Sequence, residues 1–199
     1  MNISVFASHN GSDLQAIIDA CANNALNASV CAVVSNNGDS MALARAKRAG
    51  IDSYHASATK YGNEDALDDI ILEILDSHEI DIIFLAGYLK KLRTKVLRKY
   101  HNKVFNIHPA LLPKYGGKSM YGMNIHQAVI SAKEAESGIT VHRVNENYDE
   151  GEIVAQIKVP IFQTDTAESL AAKILEIEHR FIVEVLDKII SGEILLGTP

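Results

Sequence analysis

Two polar residues lie at the end of a short apolar strand near the middle of the chain. Asn106 and His108 are two positions apart in the predicted strand 103–107 and just after it. Alternate side chains of a strand point to the same face, so we expect both at one carboxyl end of the sheet. An amide can stabilise an oxyanion and an imidazole can move a proton, which suits chemistry at an acyl carbon. A polar strand end followed by a loop is the alternative explanation.

A second candidate site is the turn of residues 10–12, Asn-Gly-Ser, between a predicted strand at 3–7 and a helix predicted from Asp13 onward. Backbone N–H groups and the helix dipole converge at such a turn and favour an anion. The turn has a single glycine and no following lysine, so it matches neither the dinucleotide fingerprint nor the Walker loop. A plain turn in which Ser12 caps the helix is the alternative interpretation.

The elements that must position these residues alternate between strands and helices. Hydrophobic patterns predict strands at 30–34, 51–55 and 80–87 and helices at 41–49, 65–77 and 94–100. This order predicts a mostly parallel, open α/β sheet flanked by helices, with the very apolar segment 80–87 in its centre. Ligands of such sheets bind beyond the carboxyl ends of the strands. The turn 10–12, the loop 88–92 and the pair Asn106 and His108 all lie at such ends.

The pattern changes after residue 113. A glycine-rich loop at 114–123 is either a lid or a long connection, and a helix is predicted at 124–134. Strands at 137–144 and 153–159 predict an antiparallel addition to the sheet, followed by a long helix from about 165 to 190 and a short strand at 194–196. We expect one domain over residues 1–199.

Composition restricts the function. The 199 residues carry a net charge of −6, which argues against nucleic acid or an anionic membrane as the main partner. The two cysteines have no metal-ligand spacing, and the histidines and carboxylates show no such spacing either. The sequence has neither an apolar run of roughly 18 residues nor a recognisable signal peptide, so we expect a cytoplasmic protein.

Four segments together resemble a known family. They are the turn 10–12, residues 85–88, the motif Asn-Ile-His-Pro-Ala-Leu-Leu-Pro at 106–113, and the segment 137–142 leading to Asp149. They closely resemble the phosphoribosylglycinamide formyltransferases, folate-dependent enzymes of purine synthesis. The resemblance covers nearly the whole chain and implies the formyltransferase fold, with a Rossmann-like amino-terminal half. Deformylases and methionyl-tRNA formyltransferases share the motif but carry an additional domain, so the length of this chain favours the first family.

The resemblance implies roles for particular residues. Asn106, His108 and Asp149 match the catalytic trio. The half 1–100 is expected to bind the substrate phosphate, through the backbone of Gly11, Ser12 and Asp13, with the Asp13 side chain turned away. The half 101–199 is expected to hold the catalytic residues and most of the folate. Glu178, which we place on the polar side of the last helix, matches an acidic residue near the glycinamide group. Asn106 and the segment of Leu89, Lys90, Lys91 and Leu92 match walls of the folate pocket.

The implied reaction moves the formyl group of 10-formyltetrahydrofolate to the amine of N1-(5-phosphoribosyl)glycinamide without a metal. Asp149 is expected to orient His108 and raise its pKa. The implied partners are these small molecules, with no nucleic acid or membrane, and the chain is expected to be a monomer or homodimer. Formyl transfer to an amino sugar nucleotide, hydrolysis of the formyl group and an inactive folate- or nucleotide-binding regulator are the alternatives. His142 is predicted to be structural, and His126 to contribute either to a lid or to nothing.

Overall fold

The computed structural model describes residues 1–196, which contain one seven-stranded sheet. Its strand order is β3-β2-β1-β4-β5-β6-β7, and β1 to β5 pair in parallel. β6 is antiparallel to both of its neighbours, so the predicted antiparallel addition is confirmed. The strands are β1 (Asn2–Phe6), β2 (Ser29–Ser35), β3 (Asp52–His55), β4 (Ile82–Leu85), β5 (Val104–His108), β6 (Glu136–Arg143) and β7 (Ile153–Pro160).

Helices connect the parallel strands and cover both faces of the sheet. They are α1 (Ser12–Ala22), α2 (Met41–Arg48), α3 (Ala58–Tyr61), α4 (Glu64–Ser77), α5 (Thr94–Lys99), α6 (Met123–Ser131) and α7 (Ala167–Ile190). Of these, α3 was not predicted, because its four residues are too few to show a helical period. The other predicted helices are confirmed to within a few residues at their ends.

The strand β4 lies in the middle of the sheet, as its apolar sequence predicted. Ile82 and Phe84 face the core beneath α1, α6 and α7, whereas Ile83 and Leu85 face the core beneath α4 and α5. All four side chains are buried, and a strand buried on both faces must be apolar throughout. The five parallel strands β1 to β5 therefore bring their carboxyl ends to one rim of the sheet.

The strand predicted at 194–196 is wrong. Ile194 donates its N–H to the carbonyl of Lys188 at 3.0 Å, so the chain folds back on the end of α7. The carbonyl of Leu195 accepts a hydrogen bond from the guanidinium of Arg143 at 2.6 Å. β6 already has a strand on each side, which leaves no edge there for another. Within residues 1–196, no helix combines the length and the apolarity that crossing a bilayer requires.

Candidate active site

The strand β5 presents Asn106 and His108 at its carboxyl end, between β4 and β6. Asn106 pairs with Leu85 on the parallel side and with His142 on the antiparallel side. His108 is only 4% exposed. Both side chains reach the same carboxylate, that of Asp149, so the structure brings the three residues of the expected trio together.

Asp149 lies in the loop between β6 and β7, in the left-handed backbone region with φ 58°. Its Oδ2 lies 3.7 Å from Nδ1 of His108 and accepts the N–H of Gly117 at 2.8 Å. Its Oδ1 lies 3.5 Å from Nδ2 of Asn106 and 3.5 Å from Nε2 of His142. Burial raises the pKa of Asp149, but His142, His108 and the Gly117 N–H together outweigh burial and lower that pKa on balance. Asp149 is therefore an anion that accepts the Gly117 N–H and lies beside two imidazoles, whose charged forms it would stabilise.

His142 is the residue of this cluster that sequence reasoning assigned only a structural role. Its Nδ1 lies 2.8 Å from the carbonyl of Arg143, which can only accept, so Nδ1 carries a hydrogen. In the neutral ring, Nε2 then accepts from Nδ2 of Asn106 at 3.0 Å, which fixes the orientation of the Asn106 amide. His142 lies on the next strand, 36 positions after Asn106, and nothing in the sequence shows that the two residues are opposite each other in the sheet.

His108 differs from expectation in its charge. Burial lowers the pKa of His108, and this effect is larger than the opposing influence of Asp149 and of the Tyr115 carbonyl. The predicted rise of this pKa is therefore wrong in net direction, although Asp149 acts in the expected sense. Nε2 of His108 donates to the Tyr115 carbonyl at 2.8 Å, so the resting ring is neutral with its hydrogen on Nε2.

The loop 114–123 forms one wall of the site. Besides the Tyr115 carbonyl on His108 and the Gly117 N–H on Asp149, the loop is anchored to Glu134, beyond the end of α6. Glu134 accepts hydrogen bonds from the hydroxyl of Tyr115 at 2.8 Å and from Nζ of Lys114 at 2.9 Å. The loop therefore fixes the imidazole and the carboxylate of the trio through its backbone.

The turn 10–12 leaves the amino end of α1 open. Gly11 is the N-cap in the left-handed region, and within residues 1–196 no side chain caps this helix, so the alternative of a cap by Ser12 is wrong. A Cβ at Gly11 would approach Cα of Ala42 to 2.9 Å, which makes glycine necessary here. Arg45 holds the turn through Asn10, with Nε donating to its carbonyl at 2.8 Å. The free N–H groups of the first helical turn are suited to an anion.

Asp13 and Glu178 form an acidic group beside this turn. Asp13 on α1 and Glu178 on α7 are 8% and 7% exposed, and Nε2 of His179 lies 3.5 Å from Oδ1 of Asp13. Burial raises the pKa of Asp13 to about 6, with His179 opposing the shift. Burial, and then the like charge of Asp13, raise the pKa of Glu178 well above its usual value.

The predicted position of Glu178 on the polar side of the last helix is wrong. The helical period places it in one stripe with Ile174 and Ile182, and all three are buried. Its carboxyl group instead borders a cleft of about 590 Å³. The same cleft is lined by Asp13, Leu89, Asn106, His108, Asp149 and Glu178, so it joins the acidic group to the trio.

Residues 89–92, which were expected to line the folate pocket, lie in two different cavities. Leu89 borders the large cleft, and its N–H donates to the hydroxyl of Ser8 at 2.8 Å. Lys90, Lys91 and the buried Leu92 border a smaller recess behind Asn106 and His142. Lys91 closes this recess with its Nζ 4.4 Å above the ring of Tyr148 and bonded to the Glu146 carbonyl at 2.7 Å.

His126 is a cleft residue that the sequence left undecided. It lies on α6, is 5% exposed, and its buried Nδ1 has no hydrogen-bond partner among the described residues. Burial, and then the nearby His108, lower the pKa of His126, so it is neutral near pH 7. Across residues 1–196, no three His, Cys, Asp or Glu side chains are grouped so as to hold a metal ion.

Comparison with known proteins relates this geometry to a family. The family described as formyl transferase matches residues 1–186. A phosphoribosylglycinamide formyltransferase of Haemophilus influenzae is 40% identical over 194 residues, which are 98% of this chain and 89% of that protein. The chloroplastic phosphoribosylglycinamide formyltransferase of Vigna unguiculata is 37% identical, and the match spans 97% of this chain but 62% of that protein. The crystal structure of phosphoribosylglycinamide formyltransferase from Bacillus halodurans is similar with a TM-score of 0.89 at 30% identity, covering 97% of each chain.

Proposed function

The chain belongs to the formyl transferase family, and we propose that it transfers the formyl group of 10-formyltetrahydrofolate to the amine of N1-(5-phosphoribosyl)glycinamide, a step of de novo purine synthesis. The products are the N-formyl ribonucleotide and tetrahydrofolate. The names of the similar proteins support this choice of substrates. The observation that carries the proposal is one cleft lined both by the trio Asn106, His108 and Asp149 and by the buried Asp13 and Glu178, with Asp13 in the first turn of α1.

The amide of Asn106 is proposed to bind the oxyanion. As the substrate amine attacks the formyl carbon, the carbonyl oxygen gains negative charge and needs a preorganised donor. Nδ2 of Asn106 makes one short contact, with His142, and one long contact of 3.5 Å, with Asp149. The hydrogen in the long contact is the one that an oxyanion can take. His142 is then a positioning residue, because it holds the amide with this hydrogen available.

His108 is proposed to move a proton from the attacking nitrogen to the leaving nitrogen. Its burial keeps the resting ring neutral, which allows it to act as a base. The imidazolium formed in this step is stabilised by Asp149, whose carboxylate lies 3.7 Å from Nδ1. The charged ring then protonates N10 of the folate, the carbon–nitrogen bond breaks, and tetrahydrofolate leaves. One proton is gained and lost by His108 in each turnover, and these steps draw on no metal.

Substrate binding is proposed to divide between the two halves of the chain. The backbone N–H groups of Gly11, Ser12 and Asp13 bind the phosphate at the open end of α1, and Glu178 binds the glycinamide end. The folate is proposed to lie along Leu89, Lys90, Lys91 and Leu92, with Asn106 close to its formyl group. The exposed cations of Lys90 and Lys91 are suited to the carboxylates of the folate tail.

A single assay separates this function from its alternatives. The protein is mixed with 10-formyltetrahydrofolate, with and without the glycinamide ribonucleotide, and the release of tetrahydrofolate is followed. We expect release only when the ribonucleotide is present, with one formylated amine formed per folate released. Equal release without any amine would indicate hydrolysis, and folate binding without release would indicate a regulator. An amino sugar nucleotide replacing the glycinamide compound as the better acceptor would also contradict the proposal.

A further inference from the structure

The imidazole of His108 has an acceptor for its ring hydrogen on each side. Nε2 lies 2.8 Å from the carbonyl of Tyr115, and Nδ1 lies 3.7 Å from Oδ2 of Asp149. A neutral imidazole carries one hydrogen, so only one of these acceptors can receive it. The Tyr115 carbonyl therefore competes with the Asp149 carboxylate for the hydrogen. While the shorter contact holds the hydrogen on Nε2, Nδ1 keeps the lone pair with which it can accept a proton.

The backbone that presents this carbonyl is strained and closely packed. Tyr115 has a φ of 58°, in the left-handed region, which is unfavourable for a bulky side chain. A Cβ at Gly116 would approach Cδ2 of Leu112 to 2.5 Å and Cβ of Asp149 to 3.1 Å. Strained backbone persists only where the surrounding contacts hold it in place. A contact that fixes Tyr115 therefore also fixes its carbonyl against His108.

The side chain of Tyr115 is held by Glu134, beyond the end of α6. The Tyr115 hydroxyl donates to Oε1 of Glu134 at 2.8 Å, and we call this contact the tether. The chain beside Glu134 is part of the sheet, because the carbonyl of Ala135 accepts the N–H of Ile161 at 3.0 Å, next to the paired ends of β6 and β7. The tether therefore connects the loop 114–123 to a fixed part of the fold.

Lys114 contributes less to this anchoring than Tyr115 does. Its Nζ donates to the same oxygen of Glu134 at 2.9 Å, but the Lys114 side chain is 68% exposed. An ion pair in water stabilises a structure only slightly. The hydroxyl of Tyr115, whose ring packs against the core, is the part of the contact that can fix the loop.

We propose that Glu134 is a positioning residue for formyl transfer, which acts through Tyr115 to keep the ring hydrogen of His108 on Nε2. The substrate proton then enters at Nδ1, where the Asp149 carboxylate stabilises the imidazolium. Without the tether, the carbonyl leaves Nε2 and the hydrogen moves to Nδ1, from which it is donated to Asp149. Nδ1 then has no lone pair to accept the substrate proton. The proposal rests on the proposed function, because it concerns the base of that reaction.

The tautomer of His108 tests the proposal without requiring turnover. Protein labelled with ¹⁵N in its histidine rings is studied by NMR at about pH 8, above the ordinary histidine pKa. We expect His108 of the unaltered protein to carry its hydrogen on Nε2. Tyr115→Phe, which removes only the hydroxyl, and Glu134→Ala, which removes the acceptor, should each shift most of the His108 population to the Nδ1–H form. An unchanged tautomer in either variant would overturn the proposal.

Steady-state kinetics test whether the tautomer matters for the reaction. Each variant should lower kcat by roughly tenfold, less than the roughly 10²–10⁴ expected for complete loss of acid–base function. The KM for the ribonucleotide should stay near its original value. The double variant should lose no more than either single variant, since both changes break the same contact. A full kcat despite a shifted tautomer, or additive losses, would contradict the role of the tether.

Two matched variants control for a general loosening of the structure. Tyr54→Phe removes a hydroxyl that lies 2.7 Å from Nε2 of His78 at the edge strand β3, and Glu136→Gln removes the carboxylate of an exposed ion pair on β6. Both should keep the Nε2–H form of His108 and the full kcat, and a comparable shift in either would overturn the proposal. If the unaltered protein transfers no formyl groups, the proposed function fails, whereas the tautomer still decides whether the tether positions His108.

Discussion

The two ends of the cleft contain the same kind of side chain in opposite states. Asp149 accepts an N–H bond from Gly117 and lies close to two imidazoles, and these partners lower its pKa despite its burial. Asp13 is buried, its Oδ1 has no hydrogen-bond partner within residues 1–196, and burial raises its pKa to about 6 although His179 opposes the shift. The difference shows that burial raises the pKa of a carboxyl group, and that nearby hydrogen-bond donors and positive charges can reverse this rise.

This contrast suits the two tasks of the site. A permanent anion is needed beside His108, because the ring becomes positive in the middle of the reaction. Raised pKa values at Asp13 and Glu178 reduce the negative charge next to the turn that is proposed to bind the phosphate. Each prediction below alters one of these two groups of residues and is paired with a readout or a control variant that isolates its effect.

The largest effect is expected from Asp149→Asn, which alters the carboxylate beside His108. This change preserves shape but removes the charge that stabilises the His108 imidazolium, so kcat should fall by roughly 10²–10⁴ with little loss of ribonucleotide binding. Steady-state kinetics on folded protein measure it, with Glu150→Gln, an exposed neighbour, as the control. Combined with His108→Ala, the change should cost little more than His108→Ala alone. Fully additive losses would show that the two residues act independently.

The next effect is that of Asp13 on the stability of the folded protein, and it depends on pH. The pKa of Asp13 is raised from 3.8 to about 6, so its contribution to stability is fully present below pH 4 and is lost as pH rises through about 6. Asp13→Asn should therefore gain stability relative to the unaltered protein between pH 4 and pH 7, by on the order of 3 kcal/mol. Urea unfolding at several pH values measures this difference. The exposed Asp19→Asn should show no such trend, and a constant difference for Asp13→Asn would contradict the raised pKa.

Glu178→Gln should act on ligand binding. The loss of a charged hydrogen bond to the glycinamide end should weaken ribonucleotide binding by roughly 1.5–3 kcal/mol, as measured by calorimetry. Binding of the folate should change less, because Glu178 lies at the end of the cleft away from the folate wall. Unchanged ribonucleotide binding would remove Glu178 from the substrate site.

The smallest effect is expected for Gly11→Ala in the phosphate turn. A Cβ at this positive φ meets Ala42 at 2.9 Å, so the turn must shift at a cost of roughly 1 kcal/mol. The KM for the ribonucleotide should rise several-fold while the KM for the folate stays near its original value. Gly50→Ala is the matched control, because Gly50 also has a positive φ but has open space around it. An equal rise of both KM values would argue against phosphate binding at this turn.

The sequence predicted the sheet well because its signals are local. The apolar run around Ile82–Leu85 and the alternation around Asn106 and His108 follow from chain geometry alone. Glu178 was placed on the wrong side of α7 because a carboxylate in an apolar stripe is read as polar surface until the cleft beside it is known.

Properties that depend on contacts between residues far apart in the chain could not be predicted from the sequence. The contact of His142 with Asn106, 36 positions apart in the chain, depends on the register between β5 and β6. The net direction of the His108 pKa shift depends on burial by the loop at Tyr115, and pairing with Asp149 alone gave the opposite sign. Both facts belong to tertiary structure, whereas the identity of the trio came from the motif and its resemblance to a family.

The contrast between the two carboxyl groups is tested most directly by titrating them in one sample. Protein labelled with ¹³C at the aspartate side-chain carboxyls is followed by NMR across the pH range, and the two signals are assigned by their loss in Asp149→Asn and Asp13→Asn. We predict that Asp149 titrates below the ordinary value of 3.8 and Asp13 near 6. Titration of both groups near 3.8, or Asp149 above Asp13, would contradict the contrast between a permanent anion at Asp149 and a carboxyl group with a raised pKa at Asp13.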